Sequence, residues 1–337
     1  MTTIHTRRRW TALLIGLMLA LVAAACAESD DAATDEVEEP VDDVVPVDED
    51  EAAEEEPPAE EEPAEEMGQL VVGSTNFDEQ ELVAEMYALA LEDAGFTVER
   101  RYQLGSREVV LPALTSGEID VYPEYVGTAL EFLNEGAGEA TGDTEATTEL
   151  LRERFSEQGI DVLAPSDAQD KNGLVVRPET AEEFGLTTVS DLSGVAEELT
   201  LGGPPECPER PLCIPGYEEA YDVSFGDFRA LDAGGPVTIE ALDSGEIDVA
   251  LLFTTDGVIA ANEWVLLEDD QDLQPAENIV PVIRSEASSE EAIAALDSVS
   301  EVLTTENVTE MIRQLRVDLE TPADVAQQFL TDEGVLG

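Results

Sequence analysis

Two nine-residue stretches, ALTSGEIDV at 113 to 121 and ALDSGEIDV at 241 to 249, agree at eight of nine positions. In each, a helical pattern ends at Ser-Gly and a strand pattern begins at Ile-Asp-Val. Glycine supplies the left-handed backbone that closes a helix, and the apolar residues after it enter a sheet. A chain that makes the same helix-to-strand passage twice, far apart in sequence, predicts two lobes of similar architecture.

The elements before the first repeat fit that reading. Leu70 to Val72 is a short apolar strand. Ser74, Thr75 or Asn76 caps a helix whose first turn carries Asp78 and Glu79 and which runs through Leu82, Met86 and Leu89 to Gly95. Thr97 to Gln103 is a second strand, Glu108 to Thr115 a short helix with Pro112 near its start and Gly117 at its end, and Ile119 to Val121 a third strand. Strands alternating with helices imply an α/β protein, each lobe a mainly parallel sheet flanked by helices.

Ligands of open α/β sheets bind beyond the carboxyl ends of the strands. Tyr125 and Phe253 stand twelve residues after the first alanine of their repeats, and Thr128 and Asp256 stand fifteen after it. Each lobe thus offers a ring and then a polar side chain just past a strand. Two such edges facing each other form a cleft with aromatic walls.

Charge narrows the function. The chain holds 79 acidic and 15 basic residues, a net charge of −64, and its single histidine is His5. So few cations cannot displace the counterions of a nucleic acid. Beyond His5 no imidazole exists for a Ser-His-Asp or Cys-His triad or for a histidine metal site. A paired-carboxylate glycosidase is compatible with the residue types, but the acids are scattered as on a charged surface. The chain reads as no enzyme, with no cofactor and no metal.

Residues 1 to 26 read as an export signal: Arg7, Arg8 and Arg9, an apolar run from Trp10 to Val22, then Ala23, Ala24, Ala25 and Cys26. A cysteine after small residues resembles the lipobox of bacterial lipoproteins and makes Cys26 the expected lipidation site. Ala-x-Ala cleavage and an uncleaved anchor are the alternatives. Residues 27 to 66 contain 21 acids, no basic residue and no aromatic residue, which makes them a disordered acidic linker. The remainder keeps 58 acidic against 12 basic residues, so its surface repels itself at low salt.

The stretch VGSTNFDEQELVAEMYALALEDAGF, followed by LGSREVVLPALTSGEIDVYPEYVGTAL, resembles the substrate-binding proteins of ABC importers for glycine betaine, choline and related osmoprotectants. The resemblance continues through TTVSDL at 187 to 192 and SGEIDVALLFTTDG at 244 to 257, and covers roughly 69 to 335. It implies a two-lobed type II periplasmic-binding-protein fold, with 69–168 and 268–337 in lobe 1 and 169–267 in lobe 2. It further implies an extracytoplasmic, membrane-anchored lipoprotein whose partners are a small betaine-like solute and the permease and ATPase subunits of the importer. The same fold binding another zwitterion, such as an amino acid, or acting as a ligand sensor, are the alternatives.

The family holds a quaternary ammonium in a box of rings, each ring face attracting the cation by about 0.5–2 kcal/mol. Tyr125 and Phe253 match two box positions. The third falls near Gly173 and the fourth near Glu277, where this chain has no ring, and the setting of Trp264 suggests packing. Thr128 matches a ligand-touching threonine, Lys171 a carboxylate-binding lysine and Arg210 an arginine that reaches the ligand from lobe 2. Thr75 joins the ligand-binding set, and Glu124 and Asp256 add negative charge near a cation. Cys207 and Cys213, six apart in an exported protein, are expected to form a disulfide around Arg210.

Overall fold

The computed structural model describes residues 67–337. The expected leader with Cys26 and the acidic stretch 27–66 lie outside the described residues. Ten strands follow in chain order: β1 (Gln69–Gly73), β2 (Thr97–Arg101), β3 (Val121–Tyr125), β4 (Ile160–Val162), β5 (Asn172–Val176), β6 (Thr200–Gly203), β7 (Asp227–Ala230), β8 (Val249–Phe253), β9 (Val265–Leu266) and β10 (Ile279–Arg284). The helices between them are α1 (Asp78–Asp93), α2 (Arg107–Ser116), α3 (Val126–Leu133), α4 (Thr144–Ser156), α5 (Pro178–Phe184), α6 (Ile214–Tyr221), α7 (Pro236–Asp243) and α8 (Val258–Ala261). After β10 come α9 (Glu290–Val302), α10 (Thr305–Arg316) and α11 (Pro322–Asp332).

The strands form two five-stranded sheets, ordered β2-β1-β3-β10-β4 and β7-β6-β8-β5-β9. In each, one strand runs against its neighbours: β10 is antiparallel to β3 and β4, and β5 to β8 and β9. That strand is the one arriving from the other lobe. The two connecting segments run side by side, with Asp170 N donating to Glu277 O at 3.0 Å and Ile279 N to Ala168 O at 3.0 Å. Helices α9, α10 and α11 return to the first sheet, where Leu296, Val308, Ile312 and Leu330 share a core with Leu82, Val83 and Met86 of α1. Fully burying each such side chain contributes about 1.5–3 kcal/mol.

The repeat fixes the two sheets in the same way. Gly117 and Gly245 take left-handed φ of 78° and 75°, and β3 and β8 both begin on the repeat's closing valine. Asp120 Oδ2 accepts from Val71 N and Asp248 Oδ2 from Thr200 N, each at 2.9 Å, tying the passage to the neighbouring strand. Ile119 and Ile247 lie against Gly73 and Gly202, where an added Cβ would fall 2.6 and 2.5 Å from an isoleucine Cδ1.

Several expected boundaries shift. The cap of α1 is Phe77, which makes no side-chain hydrogen bond; Ser74 Oγ is occupied by Gln103 N and Thr75 O instead. The second strand stops at Arg101, before Gln103 turns left-handed at φ 53°. Pro112 sits in mid-α2 rather than near its start. The third strand begins at Val121 and extends to Tyr125, so Tyr125 closes its strand as Phe253 closes β8.

Candidate functional site

Strand ends and the loops after them converge on one cleft enclosing about 970 Å³ of atom-free space, mouth included. The loop after β1 contributes Thr75 and Phe77, the loop after β2 with the first residue of α2 contributes Ser106 and Arg107, and β3 with α3 contributes Tyr125 and Thr128. From the second sheet come Phe253, Ala233 and the segment from Pro204 to Cys213. All but α3 lie at the carboxyl ends of parallel strands, where an α/β sheet leaves its backbone free to meet a ligand.

Three rings form one wall. Phe77 stacks on Phe253 with centroids 4.8 Å apart and planes 25° apart, and faces Tyr125 at 6.2 Å and 22°. The stack therefore spans both sheets. Tyr125 is buried, and its hydroxyl donates to Glu79 Oε1 at 2.7 Å. Burial first and the Glu79 charge second hold its phenol well above a tyrosine's ordinary pKa, so it is a neutral donor. Phe77 was not among the expected residues. The strand-end rule that selected Tyr125 and Phe253 also selects it, because it lies between β1 and α1.

The cationic side differs more from expectation. Arg107, another residue absent from the expected set, lines the cleft with its side chain 8% exposed. It grips Glu124 with two bonds of 2.6 and 2.7 Å and donates to Thr128 Oγ1 at 2.8 Å. Burial opposes its charge, but the adjacent Glu124 carboxylate more than offsets that, so the guanidinium stays ionised. Glu124 also accepts from Tyr122 OH and from Tyr125 N, at 2.7 Å each. Its negative charge, expected to face a ligand cation, is thus committed to an arginine.

Of the seven residues expected to touch ligand, Thr75, Tyr125, Thr128, Arg210 and Phe253 line the cleft, and Lys171 and Asp256 do not. Lys171 Nζ is directed to Gln274 O at 3.4 Å. Asp256 is 3% exposed and ion-paired with Arg316. Arg210 Nη2 approaches Glu108 of α2 at 3.0 Å and Glu206 at 3.4 Å, so it bridges the two lobes. Burial raises the Glu108 carboxyl and the Arg210 and Ser106 contacts overcome it, holding Glu108 at about 2. Cys207 and Cys213 are disulfide-bonded, closing the loop that carries Arg210.

The positions without rings also have a place. A side chain at Gly173 would meet Leu266 Cδ1 at 2.5 Å, while Asn172 beside it lines the cleft. Glu277 lies behind the lining and accepts from Thr128 N at 3.1 Å and Thr128 Oγ1 at 3.3 Å. Trp264 packs in a core with Leu252, Val258 and Ile259. The arrangement suits a small molecule with an apolar or cationic head and a polar tail.

A family model described as the substrate-binding domain of ABC-type glycine betaine transport systems matches residues 68–332. The glycine betaine-binding protein YehZ of Escherichia coli (strain K12) is 32% identical over 231 residues, 66% of this chain and 76% of that protein. A glycine-betaine-binding protein of Pseudomonas aeruginosa is 29% identical over 282 residues, 79% of this chain and 88% of that protein. Among solved structures, one titled a glycine betaine/carnitine/choline ABC transporter superposes with a TM-score of 0.63 at 22% identity, covering 80% of this chain and 99% of its own. That likeness establishes the two-lobed fold of the type II periplasmic binding proteins.

Proposed function

Since the chain belongs to the family of substrate-binding domains of ABC-type glycine betaine transport systems, we propose that its cleft captures glycine betaine or a related quaternary-ammonium solute and delivers it to a membrane permease. A member of this family is a solute-binding component of an importer and works outside the cytoplasm. The observation that carries the ligand assignment is the stack of Phe77, Tyr125 and Phe253, contributed by both lobes to one cavity. A methylated ammonium offers no N–H, so ring faces are its natural partners, at about 0.5–2 kcal/mol each. The ligand's carboxylate or hydroxyl end then meets Thr75, Thr128, Arg107 and Arg210.

Closure follows from the same geometry. Ligand docked on Tyr125 and Thr128 alone gains half of its contacts, and the rest form only when the second lobe brings Phe253 and the Arg210 loop. Ligand thereby favours the closed state by its differential affinity. The permease reads that state, and an intracellular ATPase supplies the energy. Lipidation at Cys26, with residues 27 to 66 as a self-repelling tether, would hold the domain at the membrane surface.

Calorimetry with glycine betaine, choline and carnitine tests the reading. Tyr125→Ala combined with Phe253→Ala abolishes binding; undiminished affinity would remove both rings from the site. A thermal-shift panel that adds amino acids separates the readings, because a ligand at a hundred times its Kd stabilises the fold by about 2.7 kcal/mol. Stabilisation by an amino acid and by no methylated ammonium would replace the betaine assignment.

A further inference from the structure

Behind the aromatic wall lies a concentration of buried acid that the transport reading does not use. Asp170, 5% exposed, lines the cleft, and Glu79, 3% exposed, holds the Tyr125 hydroxyl. One residue joins them: Thr255 donates its N–H to Asp170 Oδ1 at 3.2 Å and its hydroxyl to Glu79 Oε2. Among the described residues, neither carboxylate has an arginine or lysine within ion-pair distance. Arg316 of α10, whose charge reaches Glu79, is committed to Asp78 of α1 and to Asp256 after β8. Lys171, next in the chain to Asp170, turns its ammonium to Gln274 O.

Four carboxylates, Asp78, Glu79, Asp170 and Asp256, thus gather here, and of these Asp78 and Asp256 alone pair with the Arg316 guanidinium. Three of the four are buried. Repelling carboxylates in a low-dielectric setting keep a proton between them. Burial first, and then the mutual repulsion of the pair, moves Asp170 well above the ordinary aspartate range; burial moves Glu79 in the same direction. A second feature points to a ligand at this place. Thr75 Oγ1, on a residue 8% exposed that lines the same cleft, has no hydrogen-bond partner.

We propose that the Asp170–Glu79 pair is the counter-charge of the bound cation, and that a quaternary ammonium entering the cleft expels the proton the two carboxylates share. The proposal rests on the reading that a quaternary ammonium occupies the aromatic wall. Its chemistry is an exchange of one positive charge for another: the proton leaves to solvent, the ammonium takes its place beside Asp170, and Thr75 Oγ1 meets the ligand's polar end. The cation binds the deprotonated pair and the proton competes with it. Affinity therefore rises with pH until the pair is already ionised without ligand.

The test is calorimetry of the wild-type domain with choline chloride and with glycine betaine, from about pH 5.5 to 8.5, in phosphate and in Tris. The expected result is an affinity that rises by up to about tenfold per pH unit. The heat should differ between the buffers by the ionisation heat of up to one released proton. Asp170→Asn and Glu79→Gln should each flatten the slope and weaken binding. Equal heats in the two buffers with an affinity flat in pH would overturn the proposal. So would a wild-type slope retained by both folded variants. Binding of neither probe at any pH would instead overturn the functional reading beneath it, and this inference with it.

Discussion

Replacing Glu277 by glutamine should stabilise the protein at neutral and alkaline pH and not at acid pH. Glu277 is 1% exposed, its Oε2 accepts from Thr128 N and Oγ1, and its Oε1 has no partner. Burial pushes its carboxyl from 4.5 up to about 8, against the opposing pull of Thr128 and Arg107. Between those values the unfolded chain has lost the proton and the folded one keeps it, so stability falls as pH rises. The loss is roughly 1.4 kcal/mol per pH unit, and across that window it accumulates to about 5 kcal/mol at most. Glutamine is isosteric, still accepts from Thr128, and carries no charge to bury. Urea denaturation of both proteins from about pH 4.5 to 8.5 measures the difference, which cancels the pH response of the many surface acids. The expected curves coincide near pH 4.5 and separate in favour of Glu277→Gln by about 3–5 kcal/mol at the alkaline end. A pH-independent difference, or a wild type more stable at high pH, would refute the burial of an uncompensated acid here.

Arg107→Ala strands Glu124, 2% exposed, without its cation. Removing one partner of a buried pair costs about 3–5 kcal/mol. The Tyr122 and Tyr125 bonds that Glu124 keeps place the loss at the low end, and denaturation showing less than about 1 kcal/mol would contradict the geometry. Lys171→Ala should leave ligand affinity within about twofold, because its ammonium faces Gln274 and not the cleft. Arg210→Ala removes the partly exposed bridge to Glu108, worth up to about 1 kcal/mol, and should weaken binding by about fivefold. Calorimetry showing the reverse order of the two would restore the lysine to the site.

The strand-end offsets read from the repeat both reach the cleft at the rings, but three residues on only one of them does, for a local reason. Tyr125 and Phe253 close their strands, where direction is imposed by sheet register, so equal offsets reach equal places. Three residues on, the chains differ: Thr128 is in the first turn of α3, whereas Asp256 lies in a turn before α8. There it meets Arg316, sixty positions away in the chain. Phe77 and Arg107 were overlooked because they precede the repeat, although they obey the same rule after β1 and β2. The exchange of Lys171 for Arg107 as the cation that joins Arg210 in the cleft was not legible. A side chain's choice between Gln274 O and the cavity depends on packing that no spacing records.

The amino-acid order alone therefore determined the paired α/β lobes, the glycine-closed passages into β3 and β8, and the two strand-end rings, because each follows from local backbone preference and hydrophobic period. Tertiary structure decided which charges are spent and which are left. Glu124 went to Arg107 and Asp256 to Arg316, while Asp170, Glu79 and Glu277 were buried without a cation. Charges pair or stay unpaired according to three-dimensional neighbours and the dielectric around them, and both arise only once the chain has folded.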